Sequence, residues 1–83
     1  MPRDYAAWSH VASCESGGWQ VLGAAYPDPV GITAHNWAWI GAEPLPAGPL
    51  SMAQRLYVIK VADRFIRRLG IGIPDPGSSC AAW

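Results

Sequence analysis

The chain has 83 residues, of which 51% are hydrophobic and 14% are charged, and its six basic and six acidic residues give a formal net charge of zero. This composition excludes an intrinsically disordered chain and argues against a nucleic-acid-binding module, which usually carries a basic excess. The length corresponds to one domain, residues 1–83, and no apolar stretch of about 18 residues could span a membrane.

The first predicted element is a helix that begins at Asp4 and continues to about Glu15. Asp is a favourable N-cap residue, and Trp8, Val11 and Glu15 recur with the spacing of a single helix face. The two glycines at 17–18 follow directly. We therefore expect the helix to end there with a glycine in the left-handed conformation.

The middle of the chain predicts loops around a short second helix. Residues 19–31 contain two prolines that are incompatible with a helix, so a loop is expected, with a short hairpin as the alternative. Thr33 is a good N-cap for a short helix that Gly41 closes. Residues 43–49 hold three prolines and predict a rigid loop.

The longest predicted helix begins at Ser51, where Ser51 and Gln54 match a capping box, and it runs to about Leu69 and Gly70. A wide apolar stripe indicates a central helix that is contacted from two sides. We expect the tail beyond Gly70 to be irregular. The stripe comprises Met52, Leu56, Ile59, Ala62, Ile66 and Leu69, widened by Val58, Val61 and Phe65.

The two cysteines, Cys14 and Cys80, are expected to form a disulfide. A single core in so small a chain contributes only a few kcal/mol of stability, and the Gly-Ser tail around Cys80 needs an anchor. In the loop-entropy model a bridge that encloses most of the chain adds about 4–5 kcal/mol. Such a bridge indicates an oxidising compartment.

Glu15 is the candidate catalytic residue, because it is a carboxylic acid on an apolar helix face. It also lies in the last helical turn, where the helix dipole is negative. Both circumstances disfavour the ionised carboxylate, and a carboxylic acid that keeps its proton can donate it to a leaving group. An exposed glutamate at a frayed helix end is the simpler interpretation of the same position.

Five tryptophans in so short a chain are a second signal. Indole rings suit both a protein core and the apolar face of a sugar, so we expect two or three in the core and one or two in a groove. They are Trp8, Trp19, Trp37, Trp39 and Trp83.

The segment from Trp8 to Trp19 resembles the opening motif of the resuscitation-promoting factors, the transglycosylase-like domains of actinobacteria and their phages. Their pattern is a Trp, then Val-Ala, then Cys-Glu-Ser-Gly and a second Trp. Later segments are also similar to the family. These are Gly31-Ile32-Thr33 with Trp37 and Gly41, the helical residues 54–65, and Cys80.

The resemblance implies a mostly α fold, formally an α+β lysozyme-like fold, with three helices around a cleft. It implies cleavage of the β-1,4 bond between N-acetylmuramic acid and N-acetylglucosamine. Glu15 matches the family's catalytic carboxylate, and Cys14 and Cys80 match its disulfide. The family's Gln-Phe pair after Gly-Leu is missing here. Thr33 stands in its place, with a two-residue contraction of the segment. Trp19, Asp28, Thr33 and Trp37 are the predicted substrate-binding residues, and residues 26–30 are expected to face Glu15.

Two mechanisms remain open. A two-carboxylate glycosidase needs a second acid about 5–5.5 Å or about 6.5–9.5 Å from the first, for which Asp28, Glu43 and Asp75 are candidates. A lytic transglycosylase needs Glu15 alone, first as the acid for the glycosidic oxygen and then as the base for the sugar's 6-hydroxyl. The resemblance favours the second mechanism, with Asp28 as a helper.

A non-catalytic cell-wall-binding or phage structural module that retains the fold is the alternative function. In both cases the expected partner is the glycan strand of bacterial peptidoglycan, bound by a monomer at the cell wall or on a phage virion. No nucleic acid, membrane, cofactor or metal is expected, since no metal-ligand spacing is present. The N-terminus lacks a signal-peptide pattern, so an intracellular chain or a domain of a longer secreted or phage protein is expected.

Overall fold

In the residues that the structure describes, the fold consists of three helices and two very short strands. The computed structural model describes residues 2–23, 25–77 and 80. The helices are α1 (Tyr5–Ser16), α2 (Ala34–Trp39) and α3 (Met52–Leu69), and the strands are β1 (Gln20–Val21) and β2 (Gly48–Pro49). The prediction of a mostly helical chain with three helices is confirmed.

Helix α1 begins and ends where predicted, with Asp4 at the N-cap position and Gly17 at the C-cap, but its N-terminus lacks the predicted side-chain cap. Gly17 has φ 77°, and the N–H groups of Gly17 and Gly18 donate to carbonyls of the last helical turns. Asp4 stands at the N-cap position, but its side chain accepts no capping hydrogen bond. The expectation of an Asp4 cap is therefore wrong. The carboxyl of Asp4 contacts that of Asp63 on α3 instead.

The two strands pair antiparallel across a long stretch of chain, with Gln20 opposite Pro49 and Val21 opposite Gly48. The loops predicted over residues 19–31 and 43–49 are therefore each wrong for two residues, 20–21 in the first and 48–49 in the second. Within the loop 19–31, Gly23 and Tyr26 form an isolated antiparallel bridge, which is a hairpin of minimal size. The β1–β2 pairing joins the segment before Asp28 to the residues that precede α3, and the Gly23–Tyr26 bridge closes a turn within that segment.

The other two helices begin at the predicted caps. The Thr33 hydroxyl oxygen accepts a hydrogen bond of 3.1 Å from the Asn36 N–H. The Ser51 hydroxyl accepts from the Gln54 N–H, and the Gln54 side chain accepts from the Ser51 N–H, which completes the predicted capping box. Gly70 ends α3 with φ 73°. Local side-chain chemistry thus fixes the positions of α2 and α3 in the sequence.

The core forms around α3, which supplies six buried side chains. The predicted stripe is too long, because Met52, Leu56 and Leu69 at its two ends are exposed. Only the middle of the helix is covered by the rest of the chain. The buried apolar residues are Trp8, Val11, Ala12, Val21, Val30, Ile32, Trp37, Ile40, Leu50, Val58, Ile59, Val61, Ala62, Phe65 and Ile66.

The tail beyond Gly70 returns to α1. Pro76 is buried, and the ring Nε2 of His10 lies 3.1 Å from the carbonyl oxygen of Gly77, within hydrogen-bond distance. Cys14 and Cys80 form a disulfide across 66 residues of chain, which confirms the predicted pairing. Within the described part of the chain, none of the helices combines the length and apolarity that crossing a membrane requires.

Candidate functional site

The carboxyl of Glu15 is in close contact with the backbone of Gly31. Glu15 lies in the last turn of α1 and is half-buried. A Cβ atom added to Gly31 would lie 2.8 Å from both Cδ and Oε2 of Glu15, a distance that atoms cannot adopt without movement. Gly31 also has φ 87°, in the left-handed region that favours glycine. A Cβ at position 31 would therefore displace the flexible Glu15 carboxyl, and the positive φ independently favours glycine there.

A cavity of about 190 Å³ opens beside this contact, and we call it the Glu15 cavity. Its walls come from the end of α1 and from the chain between β1 and α2. Helix α1 supplies Glu15 and Ser16. The connecting chain supplies Leu22, Ala25, Tyr26, Asp28, Gly31, Ile32 and Thr33.

Asp28 is the second carboxyl of the cavity, and it is only 3% exposed. Its Oδ1 accepts hydrogen bonds from the N–H groups of Val30 (2.9 Å) and Ile32 (3.2 Å). Its Oδ2 is buried and has no hydrogen-bond partner among the described residues. A buried oxygen that lacks a partner is costly and is uncommon in folded proteins.

Burial raises the pKa of Asp28 to about 6, in spite of the backbone hydrogen bonds that favour its ionised form. The neighbouring negative charge of Glu15 contributes in the same direction as burial. Asp28 therefore changes its protonation state in mildly acidic solution. The sequence indicated Asp28 as a helper but gave no sign of its burial.

Ser16 links the end of α1 to the loop that carries Asp28. Its hydroxyl oxygen lies 2.7 Å from the carbonyl oxygen of Gly18, 2.9 Å from that of Pro29 and 3.1 Å from that of Ala12. A hydroxyl has one proton and donates it to one of these acceptors at a time. The contact with Pro29 joins the two walls of the Glu15 cavity.

Thr33 lies at the edge of the Glu15 cavity and is exposed. Its hydroxyl oxygen is held by the hydrogen bond from Asn36 that caps α2. Because the oxygen acts there as an acceptor, its own proton remains available for a ligand. Thr33 and Asp28 therefore lie together with Glu15, as the sequence predicted.

The tryptophans predicted to bind substrate lie elsewhere. Trp37 is buried in the core, and its ring N–H donates to the carbonyl of Glu43. Trp19 stacks on Tyr5 at 5.6 Å, and its ring N–H donates to the Ser9 hydroxyl. In the described structure neither ring lines the Glu15 cavity.

Of the other three tryptophans, the two that the structure describes do not line the Glu15 cavity. Trp8 is buried in the core together with Trp37, while Trp39 is 49% exposed, and Trp83 lies outside the described residues. The aromatic side chain that does line the Glu15 cavity is that of Tyr26, which is 63% exposed. Tyr26 belongs to residues 26–30, which the sequence predicted to face Glu15, although Tyr26 was not among the predicted substrate-binding residues.

A larger groove of about 440 Å³ lies on the other side of residues 21–27, and Trp37 lines it with small apolar residues. None of its lining residues, all of them described, is titratable. Acid–base chemistry needs a titratable group, so the smaller Glu15 cavity is the better candidate. Glu43 and Asp75, the other acids considered from the sequence, do not line that cavity. Among the described residues, no three potential ligand side chains are clustered closely enough to hold a metal ion.

Comparisons with known proteins identified no relative of this chain. No protein-family model matches the chain, and no curated protein or solved structure is significantly similar to it. The resemblance to resuscitation-promoting factors, which depends on short motifs, therefore stays a prediction.

Proposed function

We propose that the protein is a peptidoglycan-cleaving lytic transglycosylase in which Glu15 is the general acid and base. The bond cut is the β-1,4 link between N-acetylmuramic acid and N-acetylglucosamine. The observation that carries the proposal is the Glu15 carboxyl in a cavity with a buried second carboxyl. The motif around Glu15 adds the substrate class. We propose the cell wall or a phage virion as the place of action.

The proposed reaction has two steps, in which Glu15 first loses a proton and then regains it. Glu15 donates its proton to the glycosidic oxygen as the bond from this oxygen to C1 of the muramic acid residue breaks. The 2-acetamido group of the same sugar stabilises the positive charge at C1. The 6-hydroxyl oxygen then bonds to C1, and its proton passes to Glu15. The products are a 1,6-anhydro sugar end and a free 4-hydroxyl group.

The surroundings of Glu15 support this role. The half-buried carboxyl of Glu15 lies in the last turn of α1 and lines the cavity, where a bound ligand can reach it. The negative charge of Glu15 contributes to the raised pKa of Asp28, so the two carboxyls are near enough to interact. The exposed ring of Tyr26 offers an apolar surface on which a sugar face can pack. The cavity thus combines a proton donor with a surface for carbohydrate.

Burial of Asp28 favours the mechanism with one catalytic carboxylate. A nucleophile must reach C1 of the sugar, whereas Asp28 is 3% exposed and its Oδ1 is engaged by the backbone. Asp28→Asn keeps an oxygen for these hydrogen bonds. We therefore expect Asp28→Asn to reduce the rate of peptidoglycan cleavage much less than Glu15→Gln. Equal losses in the two variants would indicate a two-carboxylate mechanism.

The proposal is tested by incubating the protein with purified peptidoglycan and identifying the soluble products by mass spectrometry. A lytic transglycosylase releases fragments that end in 1,6-anhydro-N-acetylmuramic acid. Fragments that end in hydrolysed N-acetylmuramic acid would show that water attacks C1 in place of the 6-hydroxyl, with Glu15 still acting as the acid. Binding to peptidoglycan without release of fragments would overturn the proposal and favour the non-catalytic binding module.

A further inference from the structure

Helix α3 carries four basic side chains on its solvent-exposed side, and we call this set the α3 basic row. Successive members that are three or four positions apart lie next to each other on a helix surface. From its first residue to its last the row is about 12 Å long, at ~1.5 Å per residue. All four side chains are exposed, and they are Lys60, Arg64, Arg67 and Arg68.

The protein makes little internal use of these charges. In the described part of the chain, none of the four forms a hydrogen bond or a salt bridge. Arg55, the fifth base of α3, is different, because its guanidinium donates to the carbonyl of Leu50 and to the hydroxyl of Tyr5. The helix dipole explains basic side chains in the last turn, but not Lys60 and Arg64 further back.

The single acid in the sequence of α3 does not neutralise the row. Asp63 is half-buried, its Oδ1 accepts a hydrogen bond of 2.9 Å from the Trp8 ring N–H, and its carboxyl contacts that of Asp4. Within the row, only Arg67 interacts electrostatically with this carboxyl. The chain as a whole has no net charge, so the row is a local concentration of positive charge.

An exposed indole holds the guanidinium at the end of the row. The Cζ of Arg68 lies 5.2 Å from the centroid of the Trp39 ring. That ring is 49% exposed and packs edge-on against Phe65 at 6.3 Å. Stacking engages the face of a guanidinium and leaves the N–H groups at its edge free. Because this planar fork matches the oxygens of a phosphate group, Arg68 is positioned to bind one.

We infer that the α3 basic row is a docking surface for a linear phosphodiester polymer of the bacterial cell wall, of the teichoic acid type. A small anion needs one or two cations, whereas a row of this length matches a chain that carries a charge in every repeat. Nucleic acids also repeat their charge, but the proteins that bind them usually have a basic excess, and this chain is neutral. The choice of a wall polymer rests on the proposed place of action.

Docking on the row leaves the Glu15 cavity open. In the described structure no residue of α3 lines that cavity. The polymer therefore occupies a site separate from the glycan strand, and attachment at one site raises the effective concentration of the protein at the other.

The test is a chemical-shift titration with purified poly(glycerol phosphate) teichoic acid that is free of peptidoglycan. The proteins compared are the wild type, Arg64→Gln, Arg68→Gln and Arg3→Gln. Arg3 is exposed and precedes α1, so the third variant removes the same charge outside the row. Polyglutamate and single-stranded DNA serve as polymers that carry carboxylates and nucleic-acid phosphates.

We expect teichoic acid to shift the amide signals of residues 60–68 and to bind more weakly as the salt concentration rises. Arg64→Gln and Arg68→Gln should each lose roughly fivefold in affinity, the effect of one cation near an anionic surface. Arg3→Gln should bind as the wild type does. Arg64→Gln should cleave peptidoglycan that lacks teichoic acid at the wild-type rate.

Two outcomes would overturn the inference. The first is no binding of teichoic acid, or the same affinity in Arg64→Gln, Arg68→Gln and Arg3→Gln. If peptidoglycan is still cleaved, this result leaves the proposed function intact. The second is equally tight binding of polyglutamate or of single-stranded DNA, which would contradict a surface for a wall polymer.

Discussion

The two oxygens of Asp28 have different environments. Oδ1 accepts hydrogen bonds from the backbone of the following residues, whereas Oδ2 is buried without a partner among the described residues. The first environment favours the ionised carboxylate and the second disfavours it. Because the effect of burial is larger, the pKa of Asp28 rises to about 6. The Asp28 carboxyl therefore holds the loop through Oδ1, while its burial disfavours the ionised form.

This raised pKa predicts how stability depends on pH. The native state binds the Asp28 proton more tightly than the unfolded state, where the pKa is about 4. Between pH 4 and pH 6 the native state therefore holds more protons, and stability falls as the pH rises. Protonation of Asp28 contributes about 3 kcal/mol to the free energy of unfolding. This contribution is fully present below pH 4 and is lost above pH 6.

Chemical denaturation at pH 4, 5, 6 and 7 measures this effect. Asp28→Asn should remove that part of the pH dependence, because asparagine does not titrate in this range. Asp75→Asn is the matched control, since Asp75 is exposed and its Oδ1 likewise accepts a backbone N–H. Identical pH profiles for the wild type and Asp28→Asn would show that the proton of Asp28 does not affect folding.

At the scale of elements, the site is the junction between the end of α1 and the loop before α2. Ser16 bridges the two, and Gly31 places the loop backbone directly on the Glu15 carboxyl. The relative position of these two segments determines the shape of the Glu15 cavity. A change at the junction should therefore affect activity more than an equally strained change elsewhere.

Gly31→Ala and Gly41→Ala form a matched pair that tests this point. Both glycines have positive φ, 87° and 78°, so alanine strains the backbone at each by about 1–2 kcal/mol. A Cβ at Gly41 meets no atom within 4 Å, whereas a Cβ at Gly31 collides with Glu15. We expect Gly31→Ala to lower the rate of peptidoglycan cleavage at least tenfold, and Gly41→Ala to leave it nearly unchanged. Equal activity in two folded variants would contradict the importance of the contact.

The helices could be predicted from the sequence because their signals are local. Thr33 and Ser51 cap α2 and α3 through residues three positions away, and Gly17 and Gly70 end their helices with left-handed φ values. The strands could not be predicted, because β1 and β2 have two residues each and lie far apart in sequence. The missing Asp4 cap was not predictable either, and the carboxyl of Asp4 interacts with that of Asp63, which lies far from it in the sequence.

The site was predicted in part. Glu15, Asp28 and Thr33 meet in one cavity, but Trp19 and Trp37 face packing partners outside it. Composition alone does not separate an indole in the core from one in a groove, because both environments favour large apolar rings. The burial of Asp28 depends on how its loop closes, which no periodic pattern records.

At the scale of the whole molecule, the disulfide joins the tail to the helix that carries Glu15. Its loop spans 66 residues of an 83-residue chain, so it restricts most of the unfolded ensemble. The loop-entropy model gives a stabilisation of about 4–5 kcal/mol. Such a contribution is a large part of the stability of a small domain.

Reduction should therefore lower the Tm by roughly 15–40 °C, at about 4–8 °C for each kcal/mol in a domain of this size. Thermal unfolding followed by circular dichroism, with and without reductant, measures the shift. A double variant, Cys14→Ser with Cys80→Ser, should respond to reductant with no change in Tm. A shift of less than roughly 5 °C in the wild type would contradict a stabilising role for the bridge.

The most direct test of the proposed enzyme is the rate at which Glu15→Gln releases soluble fragments from purified peptidoglycan. Glutamine keeps the size of the side chain and removes the proton that the mechanism transfers. Glu43→Gln makes the same change on an exposed residue outside the cavity. We predict a rate at least roughly 100-fold lower for Glu15→Gln, with the fold retained, and a wild-type rate for Glu43→Gln. Full activity in Glu15→Gln would contradict the assignment of Glu15 as the catalytic acid.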